Sequence, residues 1–303
     1  MTPLQHAQQR AALAARVRRE FRTAWARVER HAIRASWAAE IPRLLALLTT
    51  AQQVAAASAD QYVADSVKAA ATREVVLGAF SQSASDGRPL ETLLLRPAVL
   101  TLQAIQFGHP LDRSLAAGQL SAELIGHTQT ADAGRVADLT AGVANPAVRS
   151  YTRLLVGRTC PRCMVLAGRR YSWKADFKRH PKCDCIAVMS VDSASAPAAF
   201  SPKRAFQEMP RYEQDRAFGK AGAEAIRAGA DIGQVVNARR GMQSAAVFGR
   251  QVSITTESTT RRRRFGTTLS TRRPRLMPEQ IIAEAKGDRV EAVRLLSLHG
   301  YVR

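Results

Sequence analysis

The stretch Cys160-Pro-Arg-Cys163 is followed, after sixteen residues, by His180-Pro-Lys-Cys183-Asp-Cys185, and this window of 26 residues contains all four cysteines of the 303-residue chain. Cysteines that served only in packing would be scattered along the sequence. Two tight pairs at the ends of one loop are typical of a metal centre that closes the loop. We therefore expect this window to organise the middle of the chain.

Five side chains in the window are candidate ligands for the four tetrahedral positions of a zinc ion. The preferred set is Cys160, Cys163, His180 and one of Cys183 and Cys185. Four cysteines with His180 beside them form the alternative set. A site closed by four protein ligands would be structural, and its formation would fold the loop between the ligands. Two readings without metal stay open, namely reduced cysteines that pack beneath a hairpin and a disulfide between the two pairs.

The composition predicts a helical protein with a polyanionic partner. Hydrophobic residues make up 46% of the chain but aromatic residues only 6%, which favours closely packed, alanine-rich helices. The formal net charge is +20 and the pI is about 11.1, and such a charge favours contact with nucleic acid. The codon usage of a high-GC genome would also enrich alanine and arginine, so the clustering of the charge matters more than its total.

Targeting and membrane segments are not expected. The N-terminus is amphipathic and rich in arginine, without the uninterrupted apolar run of a secretory signal. The most apolar stretch, residues 41–58, contains Pro42 and Arg43 and does not resemble a membrane span. A reducing, cytosolic site of synthesis follows, and there clustered cysteines bind metal more often than they form disulfides.

Breaks in the hydrophobic pattern divide the chain into five segments. We predict a mainly α protein with a small zinc-held α/β subdomain in the middle and a basic, partly disordered C-terminal region. The segments are a helical N-terminal region at 1–89, a domain with the cysteine window at 90–192, a linker with short helices at 193–249, a basic arm at 250–276 and C-terminal helices at 277–303.

Several helices can be placed within these segments. Residues 3–83 are expected to be helical, with Pro42 in a first turn or at a kink and a second long helix over 44–83. Another helix is expected at 147–157, directly before the cysteines. Two short helices joined through Gly229 should end at Gly241. Pro278 and Asp288 are expected to begin the two C-terminal helices.

Arginine is concentrated in two places. In the first predicted helix, arginines surround an apolar stripe, and they form either a solvated face or a face that contacts DNA. In the arm at 250–276, eight arginines accompany a single acidic residue, Glu257, among serine and threonine residues. Such a segment cannot bury enough apolar surface to fold alone, so it would be an extended arm on a partner or a disordered basic loop. The candidate DNA contacts in the arm are Arg261, Arg262, Arg263, Arg264, Arg272, Arg273 and Arg275.

The histidines outside the cysteine window are not expected to be ligands. His6, His31 and His299 lie near the termini or on polar helix faces. Histidines in such places are usually surface residues, so we predict that these three are exposed.

The sequences Thr159-Cys-Pro-Arg-Cys-Met-Val-Leu-Ala-Gly168, Arg169-Arg-Tyr171 and His180-Pro-Lys-Cys-Asp-Cys185 resemble the MuF-like minor capsid proteins of tailed phages, a family named for the head morphogenesis protein F of phage Mu. The family pattern is Cys-x-x-Cys, a nearby glycine, a variable loop and His-Pro-x-Cys-x-Cys, and this chain keeps each position. The resemblance is strongest over 95–192. Residues 230–242 and the C-terminus also resemble members from phages of actinobacteria.

The resemblance implies a low-copy structural protein of the virion. Such proteins associate with the portal protein or the inner capsid surface, enter the head during assembly in the host cytoplasm and stay inside the capsid. Some relatives contact the packaged double-stranded DNA without sequence preference, and some carry a fused toxin, nuclease or ADP-ribosyltransferase domain. This chain has no Glu-x-Glu motif and no second histidine cluster, which implies a member that is not an enzyme and whose zinc is structural.

Two other function classes compete with this reading. His180 and Asp184 beside paired cysteines are faintly similar to histidine-centred metal-finger nucleases, but a nuclease of that kind needs further metal ligands outside the structural zinc. A zinc-finger transcription regulator would need a recognition helix beside the metal. The alternative to a capsid protein is therefore a zinc-containing DNA-binding protein or nuclease that acts on phage DNA.

Overall fold

The computed structural model describes residues 1–71, 73–156, 160–173, 185–193, 201–239, 242–247, 250–255, 275–299 and 301–302; only the backbone is described at 242–247, 250–255, 275, 279 and 289. The chain divides into two compact units. The first contains Met1–Gly157 and Arg169–Ala198, and the second contains Arg158–Gly168 and Ala199–Arg303. The prediction of a mainly α-helical protein is confirmed.

The first unit is a group of helices with a small sheet. Its helices are α1 (Pro3–Trp25), α2 (Ile33–Ala57), α3 (Ala59–Val67), α4 (Leu90–Leu94), α5 (Arg96–Gln106) and α6 (Leu111–Ala144), with a short 3₁₀ helix at Leu77–Phe80. Its strands are β1 (Ser150–Leu154), β2 (Arg170–Ser172) and β3 (Ile186–Ser190). The strands form an antiparallel sheet in the order β2-β1-β3, in which Tyr151 is paired with Tyr171 and with Met189.

Helix α6 is the central element of the first unit, because α1, α2, α3, α5 and β3 all pack on it. Along α6 a glycine occurs at every eighth position, at Gly118, Gly126, Gly134 and Gly142. A Cβ atom on these glycines would lie within 3 Å of a neighbouring side chain, which is Trp25, Phe21, Arg10 and Met189 in turn. The glycines therefore form clefts that admit large side chains from α1 and β3.

A single apolar core joins the N-terminal helices to α4, α5 and α6. Phe21, Trp37, Leu44 and Leu94 are all fully buried in it. The Trp37 indole N–H donates a hydrogen bond to the carbonyl oxygen of Leu94 at 2.6 Å. The sequence predicts a boundary between two segments at residues 89 and 90. In the structure this boundary falls inside one core, because α1 and α2 are buried against the apolar faces of helices that follow residue 90.

The second unit is built from short helices and a second sheet. Its helices are α7 (Pro161–Leu166), α8 (Pro202–Glu208), α9 (Arg211–Phe218), α10 (Lys220–Arg227), α11 (Ile232–Ala238), α12 (Pro278–Glu284) and α13 (Arg289–Leu298). Its strands β4 (Met242–Val247), β5 (Arg250–Thr255) and β6 (Arg275–Leu276) form an antiparallel sheet in that order. Its core includes Met164, Phe218, Val235, Leu296 and Tyr301.

Several expected elements differ in the structure. The long helix predicted over 44–83 is replaced by the end of α2 and by α3, which stops where Lys68 adopts a left-handed backbone conformation. Pro42 lies inside α2. The helix predicted at 147–157 is wrong, because residues 150–154 are strand β1, paired on both edges. Parts of the predicted linker and arm are β4, β5 and β6, while residues 256–274 lie outside the described part of the chain.

Other local predictions are confirmed. Gly229 joins α10 to α11 with a φ of 104°, a value that favours glycine. Pro278 occupies the first turn of α12. The Asp288 side chain caps α13 by accepting hydrogen bonds from the backbone N–H groups of Val290 and Glu291. Within the described residues, no helix combines the length and the apolar character that a membrane span requires.

Candidate functional site

The first cysteine pair forms a compact turn in the second unit. Cys160 is the N-cap of α7, and its Sγ atom accepts a hydrogen bond from the backbone N–H of Cys163 at 3.3 Å. Pro161 follows as the first helical residue, where its missing N–H costs nothing. Cys163 is buried, and α7 packs on α11 through the second core. The turn thus places the Cys160 sulfur atom at the start of a helix, and cysteine binds zinc through its sulfur as the thiolate.

The remaining candidate ligands are only partly described. Cys185 belongs to the first unit, is buried and lies directly before β3. His180 and Cys183 lie outside the described residues. Among the residues that the structure does describe, no group of three or more histidine, cysteine or carboxylate side chains is close enough to hold a metal ion. The zinc centre with its four ligands from five candidates therefore stays a prediction, of which the Cys160–Cys163 turn is the described part.

The backbone around Cys185 is held by two helices of the first unit. The Arg135 Nε group on α6 donates a hydrogen bond to the Cys185 carbonyl oxygen at 3.1 Å, and Arg135 also pairs with Asp132 at 3.2 Å. The Tyr62 hydroxyl on α3 donates to the Ala187 carbonyl oxygen at 2.7 Å. Both side chains are buried. The position of β3, and with it the backbone of Cys185, is thus fixed by specific polar contacts.

The candidate DNA contacts of the arm are outside the description except at their edge. Arg261, Arg262, Arg263, Arg264, Arg272 and Arg273 lie among the residues that are not described. Arg275 begins β6, and its backbone is paired with Thr255 at the end of β5. Thr255 and Arg275, the described residues on either side of the arginine-rich segment, are therefore neighbours in one antiparallel ladder.

Most arginines of α1, of α2 and of the turn between them are paired with carboxylates of the same unit. Arg22 makes two hydrogen bonds to Glu123, at 2.6 and 2.8 Å, and Arg27 makes two to Glu40, both at 2.7 Å. The Arg22 guanidinium holds the pKa of Glu123 below its usual value, and Arg27 does the same for Glu40. Exposed arginines for which the described residues provide no ion pair are Arg16, Arg19 and Arg34. Most of this charge is therefore paired within the unit, and three arginines are available to a partner.

A buried polar cluster, formed by His6, Arg10, Tyr62 and Asp138, connects α1, α3 and α6. The His6 Nε2 atom lies 3.0 and 3.1 Å from the two Asp138 oxygens, and Arg10 Nη2 donates to the same carboxylate at 2.8 Å. The His6 ring stacks on Tyr62 with 3.8 Å between ring centres. Burial lowers the pKa of Arg10 and raises that of Tyr62. These four polar side chains thus occupy a part of the interior where apolar side chains would ordinarily be expected.

The prediction that His6 is exposed is wrong. Its side chain is fully buried, because Asp138 and Tyr62 supply a hydrogen bond and a stacking surface from α6 and α3. His31 is exposed as predicted, whereas His299 is partly buried and its Nδ1 atom accepts the backbone N–H of Leu276. The sequence contains one signal of this cluster, which is the recurrence of glycine at every eighth position of α6. Gly134 is one of these glycines, and its missing side chain leaves the cleft that Arg10 occupies.

In comparisons with known proteins, no family model, no curated protein and no solved structure matches this chain.

Proposed function

We propose that this chain is a minor capsid protein that takes part in head morphogenesis of a tailed phage. The observation that carries the proposal is the motif Cys160-Pro-Arg-Cys163 with His180-Pro-Lys-Cys183-Asp-Cys185, which keeps each position of the MuF-like pattern. The protein would reside inside the head near the portal and would reach it from the host cytoplasm during assembly. Its role would be structural and not enzymatic.

The zinc ion belongs to the same proposal. Four of Cys160, Cys163, His180, Cys183 and Cys185 would hold it. The turn at the start of α7 supports this assignment, because it brings Cys160 and Cys163 together with an N–H directed at a sulfur atom. A zinc ion with four protein ligands has no open position for substrate, and its contribution would be to hold the chain together.

Contact with packaged DNA is the second part of the proposed role. Six of the candidate arginines fall within residues 261–273, between β5 and β6 in the sequence, and so concentrate positive charge in one short segment. Phosphate contacts of arginine are independent of base sequence and strongly dependent on salt. This suits a protein enclosed with a whole genome, where no single sequence is to be read.

The location of the chain in virions tests the proposal. Particles of the phage that encodes it would be purified, treated with protease and nuclease, cross-linked and analysed by mass spectrometry. We expect peptides of this chain in intact particles, protected from protease and cross-linked to the portal protein. A chain found only in the cytosol of infected cells, and absent from purified particles, would contradict the proposal. The abundant capsid protein serves as the control for recovery.

A further inference from the structure

The turn from Cys160 to Cys163 brings two sulfur atoms within reach of each other. Cys160 has an extended backbone, with a φ of −82° and a ψ of 154°, and its side chain lies over the first turn of α7. Its Sγ atom is 3.3 Å from the backbone nitrogen of Cys163. The Cys163 Sγ atom is three bonds from that nitrogen, so rotation about side-chain bonds can bring the two sulfur atoms to bonding distance. In the structure the two cysteines are not joined.

The two cysteines differ in their access to solvent. Cys160 is partly exposed, whereas Cys163 is buried, with 2% of its surface exposed. A dissolved oxidant therefore reaches the Cys160 sulfur atom first. Exposure of a thiol is one of the properties that decide which cysteine of a pair reacts. This difference assigns an order in which Cys160 meets the oxidant and Cys163 reacts only with Cys160.

A disulfide in this turn would be easy to reverse. It would close a loop of only four residues, and such a short loop restricts the unfolded chain far less than a long one does. One of its sulfur atoms belongs to the partly exposed Cys160, and exposed disulfides are the ones that are readily reduced. A reducing compartment would therefore restore both thiols.

We propose that Cys160 and Cys163 are a reversible redox pair that closes to a disulfide when the chain meets a dissolved disulfide such as oxidised glutathione. The Cys160 sulfur attacks one sulfur of oxidised glutathione, which forms a mixed disulfide and releases one glutathione. The Cys163 sulfur then attacks the Cys160 sulfur, forms the internal disulfide and releases the second glutathione. Two electrons pass from the chain to glutathione, and the two cysteine protons end on the two released thiols.

The consequence for the metal rests on the proposed zinc centre. Zinc binds cysteine as the thiolate, so the disulfide would remove two of the four ligands and release the ion. Cysteines stay reduced in the cytosol and are oxidised outside the cell. A chain that leaves the cell inside a particle, as proposed above, would hold its zinc during assembly and lose it after release.

Peptide mapping of the full chain tests the pair. The unaltered protein would be incubated with oxidised glutathione, with and without a chelator, then blocked with N-ethylmaleimide and cleaved with trypsin without reduction. Trypsin cuts after Arg162, so the two cysteines fall in separate peptides, 159–162 and 163–169. We expect a disulfide between these peptides that dithiothreitol removes. A link from either of them to peptide 183–203, which carries the other two cysteines, would overturn the proposal, as would the absence of a disulfide even with chelator.

Two variants test the order of the steps. In Cys163→Ser the reaction should stop at a stable mixed disulfide of Cys160 with glutathione, because the second sulfur atom is missing. Cys183→Ser removes a candidate zinc ligand outside the turn, and this matched control should still form the internal disulfide. Cys163→Ser that takes up no glutathione would overturn the assigned order. Mapping of the unaltered protein depends on neither variant.

Zinc analysis of the same samples separates this proposal from the proposed zinc centre. Unaltered protein that contains no zinc but forms the disulfide would contradict the zinc centre and support the redox pair. Protein that contains zinc should lose it in proportion to the disulfide formed. Zinc that is retained after the disulfide has formed would overturn the link between oxidation and release of the metal.

Discussion

At the scale of single residues, Gly134 determines whether the buried polar cluster can form. An ideal Cβ atom at this position would lie 1.7 Å from Arg10 Nη1, so any side chain here displaces the guanidinium. In Gly134→Ala we expect Asp138 to lose its arginine while it stays buried beside His6, at a cost of about 1–3 kcal/mol in the free energy of unfolding. Urea denaturation measures this loss.

The control for this substitution is Gly78→Ala, since a Cβ atom on Gly78 meets nothing within 4 Å. We expect its free energy of unfolding to change by no more than about 0.5 kcal/mol. A Gly134→Ala variant as stable as this control would show that Arg10 can leave the α6 cleft without cost, and would refute the importance of the cluster.

The ion pair of Glu123 with Arg22 leads to a second prediction at the residue scale, which concerns the pH dependence of stability. Arg22 lowers the pKa of Glu123 from its usual 4.5 in the folded protein, so the ion pair stabilises the fold above pH 4.5 and this contribution is lost as the pH falls through the lower folded value. The unaltered protein should exceed Glu123→Gln in stability at pH 7 by less than about 1 kcal/mol, because Arg22 is half exposed.

Denaturation of both proteins between pH 7 and about pH 3 measures the effect. The difference in the free energy of unfolding should shrink steadily below pH 4.5. Glu208→Gln, which removes an exposed i,i+4 pair with Arg204, is the control and should show almost no difference at any pH. A Glu123→Gln difference that grows as the pH falls would contradict the assigned direction.

At the scale of elements, α7 allows the metal role of Cys160 to be separated from its role as a helix cap. Serine is a good N-cap residue, so Cys160→Ser keeps the start of α7 but removes a thiolate. We expect the unaltered protein to contain about one zinc per chain and to become less stable when a chelator is added. The variant should contain no zinc, and its stability should not change with the chelator. Elemental analysis and unfolding with and without chelator measure these quantities.

Two outcomes would contradict the zinc prediction. One is less than about half an equivalent of zinc in unaltered protein purified without chelator. The other is unchanged chelator sensitivity in Cys160→Ser. Ser201, which caps α8 in the same unit by accepting the N–H of Arg204, provides a control, because Ser201→Ala should weaken a cap without any change in zinc content.

Elements whose signals are local could be predicted from the sequence, whereas elements that depend on partners far along the chain could not. The first-turn proline of α12, the cap of α13 and the glycine joint between α10 and α11 follow from residues within one turn of the chain. Strand β1 was expected to be helical, because its two partners lie about 20 and 35 residues further along. His6 was expected to be exposed, since Asp138 is 132 positions away. Non-local pairing, and not propensity, determines both.

At the scale of the whole molecule, the distribution of positive charge predicts how the chain binds DNA. Conversion of Arg261, Arg262, Arg263, Arg264, Arg272 and Arg273 to glutamine should weaken binding to any duplex. Six lost phosphate contacts would reduce the slope of log affinity against log salt by up to about 5. Fluorescence anisotropy with a labelled duplex at several sodium chloride concentrations measures the slope.

The matched comparison is a variant with Arg16, Arg19 and Arg34 changed to glutamine, because these exposed arginines of α1 and α2 are the other candidate surface. We expect this variant to keep most of the slope. A larger loss in the helix variant than in the arm variant would move the DNA contact to the N-terminal helices. Unchanged binding in both variants would remove the proposed role in DNA contact.

The spacing of the glycines in α6 also restricts how the length of this chain can change. Each residue of an α-helix turns the next by about 100°, so deletion of one residue between Gly118 and Gly142 would rotate every later cleft away from its occupant. A deletion before Gly134 would make Arg10 and Met189 collide with the helix together, and the first unit would lose these contacts on α1 and β3 in one step. We therefore expect α6 to accept substitutions outside its four cleft glycines but no insertion or deletion, and length variation among natural variants to be confined to other parts of the chain.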